Sequence, residues 1–476
     1  MFGWWRRIQL KSGDPKLRER AAQAIGKAKD RGAVDALIPV LRDSGGFSKD
    51  VNTYYPAPVA AWALGEIGDL KAVEPLICAF DSLGTRREAV AALVKIGLPA
   101  VDPLLKVARD PSQRCRSEAA LALGGIRDRK AVPALIELLR SREDRTQGPQ
   151  CEAARALGMM GDPAAVDALV GALSEDTVLL TEVVWALGEI GDLRAVAPLL
   201  KLNPSGRAGK AVAEALGKLP DPRTLARLVE LVTHWDNDVR TQAENALRSK
   251  GPEAAPILLD ALRTGETKTQ RAVAARLLGE MKYQQAREAL LEAAWDEEYP
   301  LRCEAVKALT NLGWQPATDA EQALQLIVQP PRDEELVRRL VGIGKPAVAP
   351  LIASLRHDDE RGSRINYRAV MARVLGAIGD ETAAQALADA ATDYNYMLRA
   401  IAADALVKIG PASVEPLLGK LRCGPRNPED ILKALGAIGD GRARDELQRY
   451  AGPGPGYDKV VQDVAQEALR KLEKPR

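Results

Sequence analysis

The sequence predicts an all-α fold, an α-solenoid of about fifteen stacked helix–turn–helix repeats, and three observations carry that prediction. WALGEIGDLKAVEPL at 62–76 returns as WALGEIGDLRAVAPL at 185–199, differing only at Lys71/Arg194 and Glu74/Ala197. The central residue of its A-L-G core recurs as a register mark fifteen times between Ile25 and Leu469, mostly at intervals of 29 to 31 residues. The composition is rich in Ala, Leu, Glu and Arg and only 4% aromatic, as suits helices. A period of this length signals stacked repeats. The 476 residues exceed the roughly 250–300 that one globular core holds. An array escapes that limit because each repeat packs only on its neighbours. The expected organisation is a single solenoid over 1–476, with a capping segment at 1–16.

Each repeat is legible locally. In 182–202, Val183, Val184, Ala186, Leu187 and Ile190 form an apolar face at helical spacing. Gly188 thins the helix for close packing, and Gly191 stands where a glycine ends it. Asp192 follows as a cap whose carboxylate accepts backbone N–H groups. The second helix then begins, with Pro198 early in it, where a missing N–H costs least. The same Gly-Asp pair recurs at 68–69, 161–162, 379–380 and 439–440. Gly97-Leu98-Pro99 and Gly410-Pro411 replace it elsewhere while keeping a turn.

The consensus A-x-x-A-L-G-x-I-G-D-x-x-A-V-x-x-L-I-x-x-L resembles the HEAT-repeat superfamily, specifically the short HEAT-like repeats of the phycobilin-lyase (PBS lyase) type. That resemblance implies a right-handed α-solenoid with the second helix of each pair on the concave face. It specifies fold far better than function.

Arginines end many second helices (Arg42, Arg109, Arg140, Arg263, Arg356, Arg422), where a cation is favoured by about 0.3–1 kcal/mol. A second series opens first helices: Arg116, Arg240, Arg271, Arg302, Arg368 and Arg399. The family resemblance suggests that these pair with the turn aspartates of neighbouring repeats. The expected concave face carries mixed signs, with an acidic stretch at Glu230, Asp260 and Glu292. A nucleic-acid groove needs a sustained Lys/Arg track with stacking aromatics, which this face lacks. Aromatics gather just before first helices, at Tyr54, Tyr55, Trp235, Tyr299, Tyr367, Tyr394 and Tyr396. Each reads either as a hydrophobic staple at helix entry or as an amphipathic anchor along one edge. The wide intervals locate insertion loops at 42–58, 140–150, 356–368 and 422–430, with a less regular one at 452–458. Loops that depart from a rigid frame tend to carry recognition. Two of them share an Asn beside a Tyr: Asn52 with Tyr54, and Asn366 with Tyr367. The candidate partner-binding residues are therefore Asn52, Tyr54, Tyr55, Arg364, Asn366, Tyr367, Tyr394, Tyr396, Glu230, Asp260 and Glu292. In the lengthened turn of the tenth repeat, Trp314 is expected to pack locally.

Several chemistries lack their residues. The two histidines, His234 and His357, are far apart, and no H-E pair occurs. This sets aside a HEAT-repeat di-iron hydroxylase and the usual zinc spacings. No P-loop, nucleophile elbow or dinucleotide fingerprint is present, so no cofactor, metal or catalytic residue is expected. Five scattered cysteines read as reduced thiols in the cytoplasm. Lys+Arg number 67 and Asp+Glu 65, a balance that disfavours a dedicated polyanion binder. No apolar run reaches the length of a membrane span. The opening MFGWWRRIQL is too short for a signal peptide. Phe2, Trp4 and Trp5 suit a lid over the apolar end of the first repeat, with a weak membrane contact as the alternative.

Two functions of different classes survive. The leading one is a non-catalytic scaffold that binds partner proteins through its concave face and edge loops, assembling or regulating a larger complex. The runner-up is a phycobilin-lyase-like protein handling an open-chain tetrapyrrole on a partner. Its candidate site is the loop with Asp358, Asp359, Arg361, Arg364 and Tyr367. Nucleic-acid binding is a minor third.

Overall fold

A computed structural model of the chain describes residues 3–43, 46–47, 53–141, 148–174, 176–328, 334–356, 365–452 and 459–473. It contains two compact units, Met1–Ala254 and Ala255–Arg476. Each is an α-solenoid stack of helix pairs. The register marks from Ile25 to Leu435 each fall in the first helix of a pair and are fully buried, and Leu469 lies in the last described helix, Lys459–Glu473. The described part of the first insertion adds only a two-residue antiparallel strand pair, Gly46–Phe47 with Thr53–Tyr54.

The A-L-G motif works between repeats. The glycine of one copy receives the alanine of the next. A Cβ placed on Gly158 would lie 2.7 Å from Ala186 Cα, and one on Gly188 would lie 2.8 Å from Ala215 Cα. The same meeting recurs at Gly65/Ala92, Gly124/Ala156, Gly279/Ala308, Gly376/Ala405 and Gly436/Ala468. First helices therefore approach backbone to backbone, and the motif is duplicated because each copy is both socket and plug.

The turn differs in one respect from the expected cap. Gly191 adopts φ 72° and ends helix Thr177–Ile190 as predicted. A 3-10 turn, Leu193–Ala195, then precedes the second helix, Val196–Leu200. Asp192 accepts the N–H of Arg194 at 2.9 Å and so caps that short turn. Asp69, Asp128, Asp162, Asp380 and Asp440 do the same.

Two of these capping aspartates also pair with a cation of the preceding turn, Asp162 with Arg129 at 3.2 Å and Asp380 with Lys345 at 3.5 Å, whereas the first-helix arginines find other partners. Arg271 donates to Leu262 O at 3.1 Å and pairs with Asp296 at 2.9 Å. Arg368 donates to Leu355 O at 2.8 Å and pairs with Asp393 at 2.7 Å. Each thus satisfies a carbonyl left open at the end of the preceding second helix and reaches forward to an acid in the next link. Arg86 repeats the pattern with Phe80 O and Glu118. A second ladder runs along the turn side, where Lys71–Asp35, Arg194–Asp167 and Arg442–Glu415 join successive repeats. Exposed pairs of this kind are worth about 0–1 kcal/mol each; their effect is to hold register. Trp314 is buried, as expected of a locally packed turn.

One ladder position is overloaded. Glu152, on helix Gly148–Met160, is half-buried, and its Oε2 lacks a hydrogen-bond partner. Burial raises its pKa above the ordinary 4.5; Arg155 opposes the rise, and Glu182 and Glu118 add to it. A carboxyl with a raised folded pKa binds more protons folded than unfolded, so stability falls as pH climbs from 4.5 through the raised value. Glu152→Gln is expected to increase the thermal midpoint at pH 7, with the gain fading below pH of about 4. Melting curves across that range check it, and a gain that persists at low pH refutes it.

The segment 1–16, expected to cap the first repeat, contains the helix Gly3–Gln9. Arg7 pairs with Asp30 at 2.9 Å, Arg6 donates to Ala24 O at 3.4 Å, and Leu10 is buried. That helix is thus held to the first repeat by its arginines and Leu10. Trp4 and Trp5, expected to do the covering, are 71% and 55% exposed.

Candidate interaction surfaces

The links that lead into first helices form one edge of each unit. In the first unit, Trp235 stands just before helix Asn237–Lys250 and is 77% exposed. Its ring stacks on His234 at 5.5 Å. Arg240 donates to the carbonyls of both residues, at 2.7 Å from His234 O and 2.9 Å from Trp235 O. In the second unit, Tyr394 and Tyr396 are each 71% exposed. Asn395 between them caps helix Tyr396–Ile409 through the N–H groups of Met397 and Leu398. Arg399 donates to Asp393 O and Tyr394 O at 3.0 and 3.1 Å. In both places an arginine five residues downstream fixes the backbone beneath an outward ring. These aromatics are not staples, because a staple buries its ring against the helix. Tyr55 is also exposed, and its N–H donates to Glu19 at 2.9 Å.

Other predicted residues fall elsewhere. Tyr367 is half-buried, and its hydroxyl donates to Ile327 O, which places it in the packing rather than on the edge. Tyr299 is buried against Arg302, with Cζ 5.5 Å from the ring centroid. Asn52, Arg364 and the side chains of Tyr54 and Asn366 lie outside the described residues, as do Asp358, Asp359 and Arg361. Glu230, Asp260 and Glu292 are exposed on second helices. Glu230 belongs to the first unit and is paired with Arg227 at 2.6 Å, whereas Asp260 and Glu292 belong to the second.

A groove of about 770 Å³, not anticipated from the residues, lies between the second helices of the first two repeats. Pro39, Pro75 and Ala79 supply apolar walls; Arg42, Asp43, Glu74, Asp81 and Cys78 line it. Both second helices there close in 3-10 turns, Ile38–Arg42 and Ala79–Asp81. Asp43 is engaged by Arg18. The cysteine thiols are not activated nucleophiles where a shift is evident: burial pushes Cys115 and Cys151 up to about 11, helped by Asp81 and Glu182 respectively. Among the described residues, no cluster of His, Cys, Asp and Glu is arranged to hold a metal, and no helix is long and apolar enough to cross a membrane.

The profile of HEAT repeats matches residues 79–148, 101–181, 147–209, 179–248, 255–341 and 348–427. The PBS lyase HEAT-like repeat matches 17–43 and 59–82. Among solved structures, the CpcE–CpcF complex of phycocyanin lyase from Nostoc sp. PCC7120 is similar at 26% identity. The match covers 52% of this chain and 94% of that one, with a TM-score of 0.27. Yeast importin-beta (Kap95p) is similar at 14% identity over 99% of this chain and 77% of that one, with a TM-score of 0.44. No curated protein sequence matches the chain. With well over half of its residues matched by the repeat profile, the chain belongs to the HEAT-repeat family.

Proposed function

We propose that this chain is a non-catalytic cytoplasmic scaffold that binds partner proteins through the link edges and second-helix faces of its two units, assembling or regulating a larger complex. The observation that carries the reading is the display of Trp235 and of Tyr394 and Tyr396 on clamped backbone. Tyr and Trp in such positions are the residue types that dominate binding energy at interfaces. Fixing the backbone in advance removes part of the ordering cost of association. The test is recovery of stoichiometric partners from source cells by the wild type, by Trp235→Ala and by Tyr394→Ala/Tyr396→Ala. Loss of a partner by roughly tenfold at an unchanged melting temperature supports the reading. Undiminished recovery with every variant refutes it.

A second reading rests on the first-unit groove. The repeats matched as PBS lyase HEAT-like, 17–43 and 59–82, are the ones that wall it. Its volume lies in the range of small-molecule sites, about 300–1,000 Å³. Arg42 is positioned to meet a propionate, and Glu74 to accept from pyrrole N–H groups, so an open-chain tetrapyrrole is the ligand this reading names. Titration with a linear tetrapyrrole should then shift its visible band, and Glu74→Ala should abolish the shift. An unshifted spectrum with the wild type ends this reading and leaves the scaffold untouched.

A further inference from the structure

The charge of the chain is not evenly spread. Residues 1–31 hold nine Lys and Arg against three Asp and Glu, although the whole chain is nearly balanced. The three acids are occupied: Asp14 caps the N–H of Lys16, Glu19 accepts from Tyr55 N–H, and Asp30 pairs with Arg7. Lys11, Arg20, Lys27, Lys29 and Arg31 are exposed, and none forms an ion pair with a described residue.

An apolar face lies within this basic segment. Trp4, Trp5 and Ile8 share one side of helix Gly3–Gln9 at spacings i, i+1 and i+4, and all three are exposed. Arg6 and Arg7 leave from the opposite side and fasten the helix to Ala24 O and Asp30. On the next helix, Pro15–Ala28, Gly26 meets Trp62 and Ala63 of the second repeat. At 100° per residue, Leu17 and Arg20 lie on the far side from Gly26, the end face that the short helix crosses. Leu17 is exposed there too.

We propose that this end of the first unit is a peripheral docking surface for an anionic lipid bilayer. Tryptophan settles at the level of lipid headgroups. A short amphipathic helix holds there when apolar insertion is joined by a polybasic patch. Here both signals occur in the first repeat, with Arg20 and Leu17 on its end face, and the short helix is already fixed to the repeat stack, so binding does not require it to fold. Exposed Trp and Ile beside lysines favour a bilayer over a nucleic acid, which would draw on the charges but leave Ile8 and Leu17 in water.

The test is flotation of the full chain with phosphatidylcholine vesicles, with and without phosphatidylserine. Binding is expected only to the anionic vesicles and should weaken as salt rises. Trp4→Ala/Trp5→Ala should reduce the bound fraction about tenfold, and Lys11→Glu/Arg20→Glu should reduce it similarly. All four side chains are exposed, so the melting temperature should not move. Absent binding, or binding equal in the double-tryptophan variant, overturns the proposal. So does a lipid-free dimer that the tryptophan variant dissociates, which would assign the face to a second copy. A single-stranded oligonucleotide retained where vesicles are not would assign it to nucleic acid.

Discussion

Gly279→Ala should destabilise the second unit by about 1–3 kcal/mol, while Gly342→Ala should stabilise it by about 0.5–1 kcal/mol. Both glycines lie in first helices, Lys268–Glu280 and Glu334–Ile343, and both substitutions add one methyl group. Helix propensity favours alanine at each site. Contact decides the sign. A Cβ on Gly279 would stand 2.5 Å from both Cα and Cβ of Ala308, whereas a Cβ on Gly342 meets nothing within 4 Å. The first clash is with backbone, so no rotamer relieves it, and helix Tyr299–Asn311 must move away. Because the same two helices also share Leu278 and Leu309, both fully buried, that movement loosens the core beside the clash. Urea unfolding of the two variants settles the matter. If both substitutions change stability in the same direction, the glycine–alanine socket is not what sets the spacing of the repeats.

The socket shows what the sequence could and could not convey. The period, the A-L-G mark and the Gly-Asp turn were enough for the fold, because a repeat stack is specified by local pattern and nearest neighbours. That Gly188 thins its helix was legible; that it receives Ala215 of the next copy was not, since the pairing is fixed only when two helices meet. The arginine ladder was half legible. Acids stand both in the turns and in the links, and one string of letters does not say which end an arginine reaches. The structure selects the link acids, Asp296 for Arg271 and Asp393 for Arg368, while the turn carboxylates cap backbone N–H groups and, at Asp162 and Asp380, pair with the turn cations Arg129 and Lys345. Aromatics before first helices looked alike in sequence, yet Trp235 faces out and Tyr299 faces in. The usable signal was an arginine five residues on that clamps the two carbonyls, but Arg302 follows the same spacing from Glu297, so spacing alone does not identify a displayed ring. Of the predicted site residues, Tyr55, Tyr394 and Tyr396 are displayed and Tyr367 is packed. The first-unit groove was invisible because it depends on two second helices tightening into 3-10 turns.

Arg302→Ala is expected to cost about 3 kcal/mol or more, and Arg302→Met about 1 kcal/mol or less, with a net gain within reach. Arg302 is 1% exposed. It occupies the position from which Arg271 and Arg368 reach a carboxylate, but no described carboxylate pairs with it, since Asp296 is taken by Arg271. Its charge rests instead on Asp296 O at 3.0 Å, Ser354 Oγ at 3.2 Å and the face of Tyr299, and its Nε has no acceptor. Burial accordingly lowers its pKa from the ordinary arginine value. Alanine removes the long stem from a packed site and leaves a cavity. Methionine fills much of that volume without a charge to desolvate. Ser354 tolerates the loss, because its hydroxyl also donates to Pro350 O at 2.9 Å. Asp296 O and, at 3.5 Å, Glu297 O lose a partner, but Asp296 is partly open to water and Glu297 is exposed. Lysine should be worse than methionine, because it keeps a charge but lacks the planar fork that reaches both acceptors. The informative result is therefore an order, Met above Lys, with Ala far below the wild type. If methionine proves as damaging as alanine, the guanidinium's polar contacts hold this joint between repeats, and the charge itself is what the packing was built around.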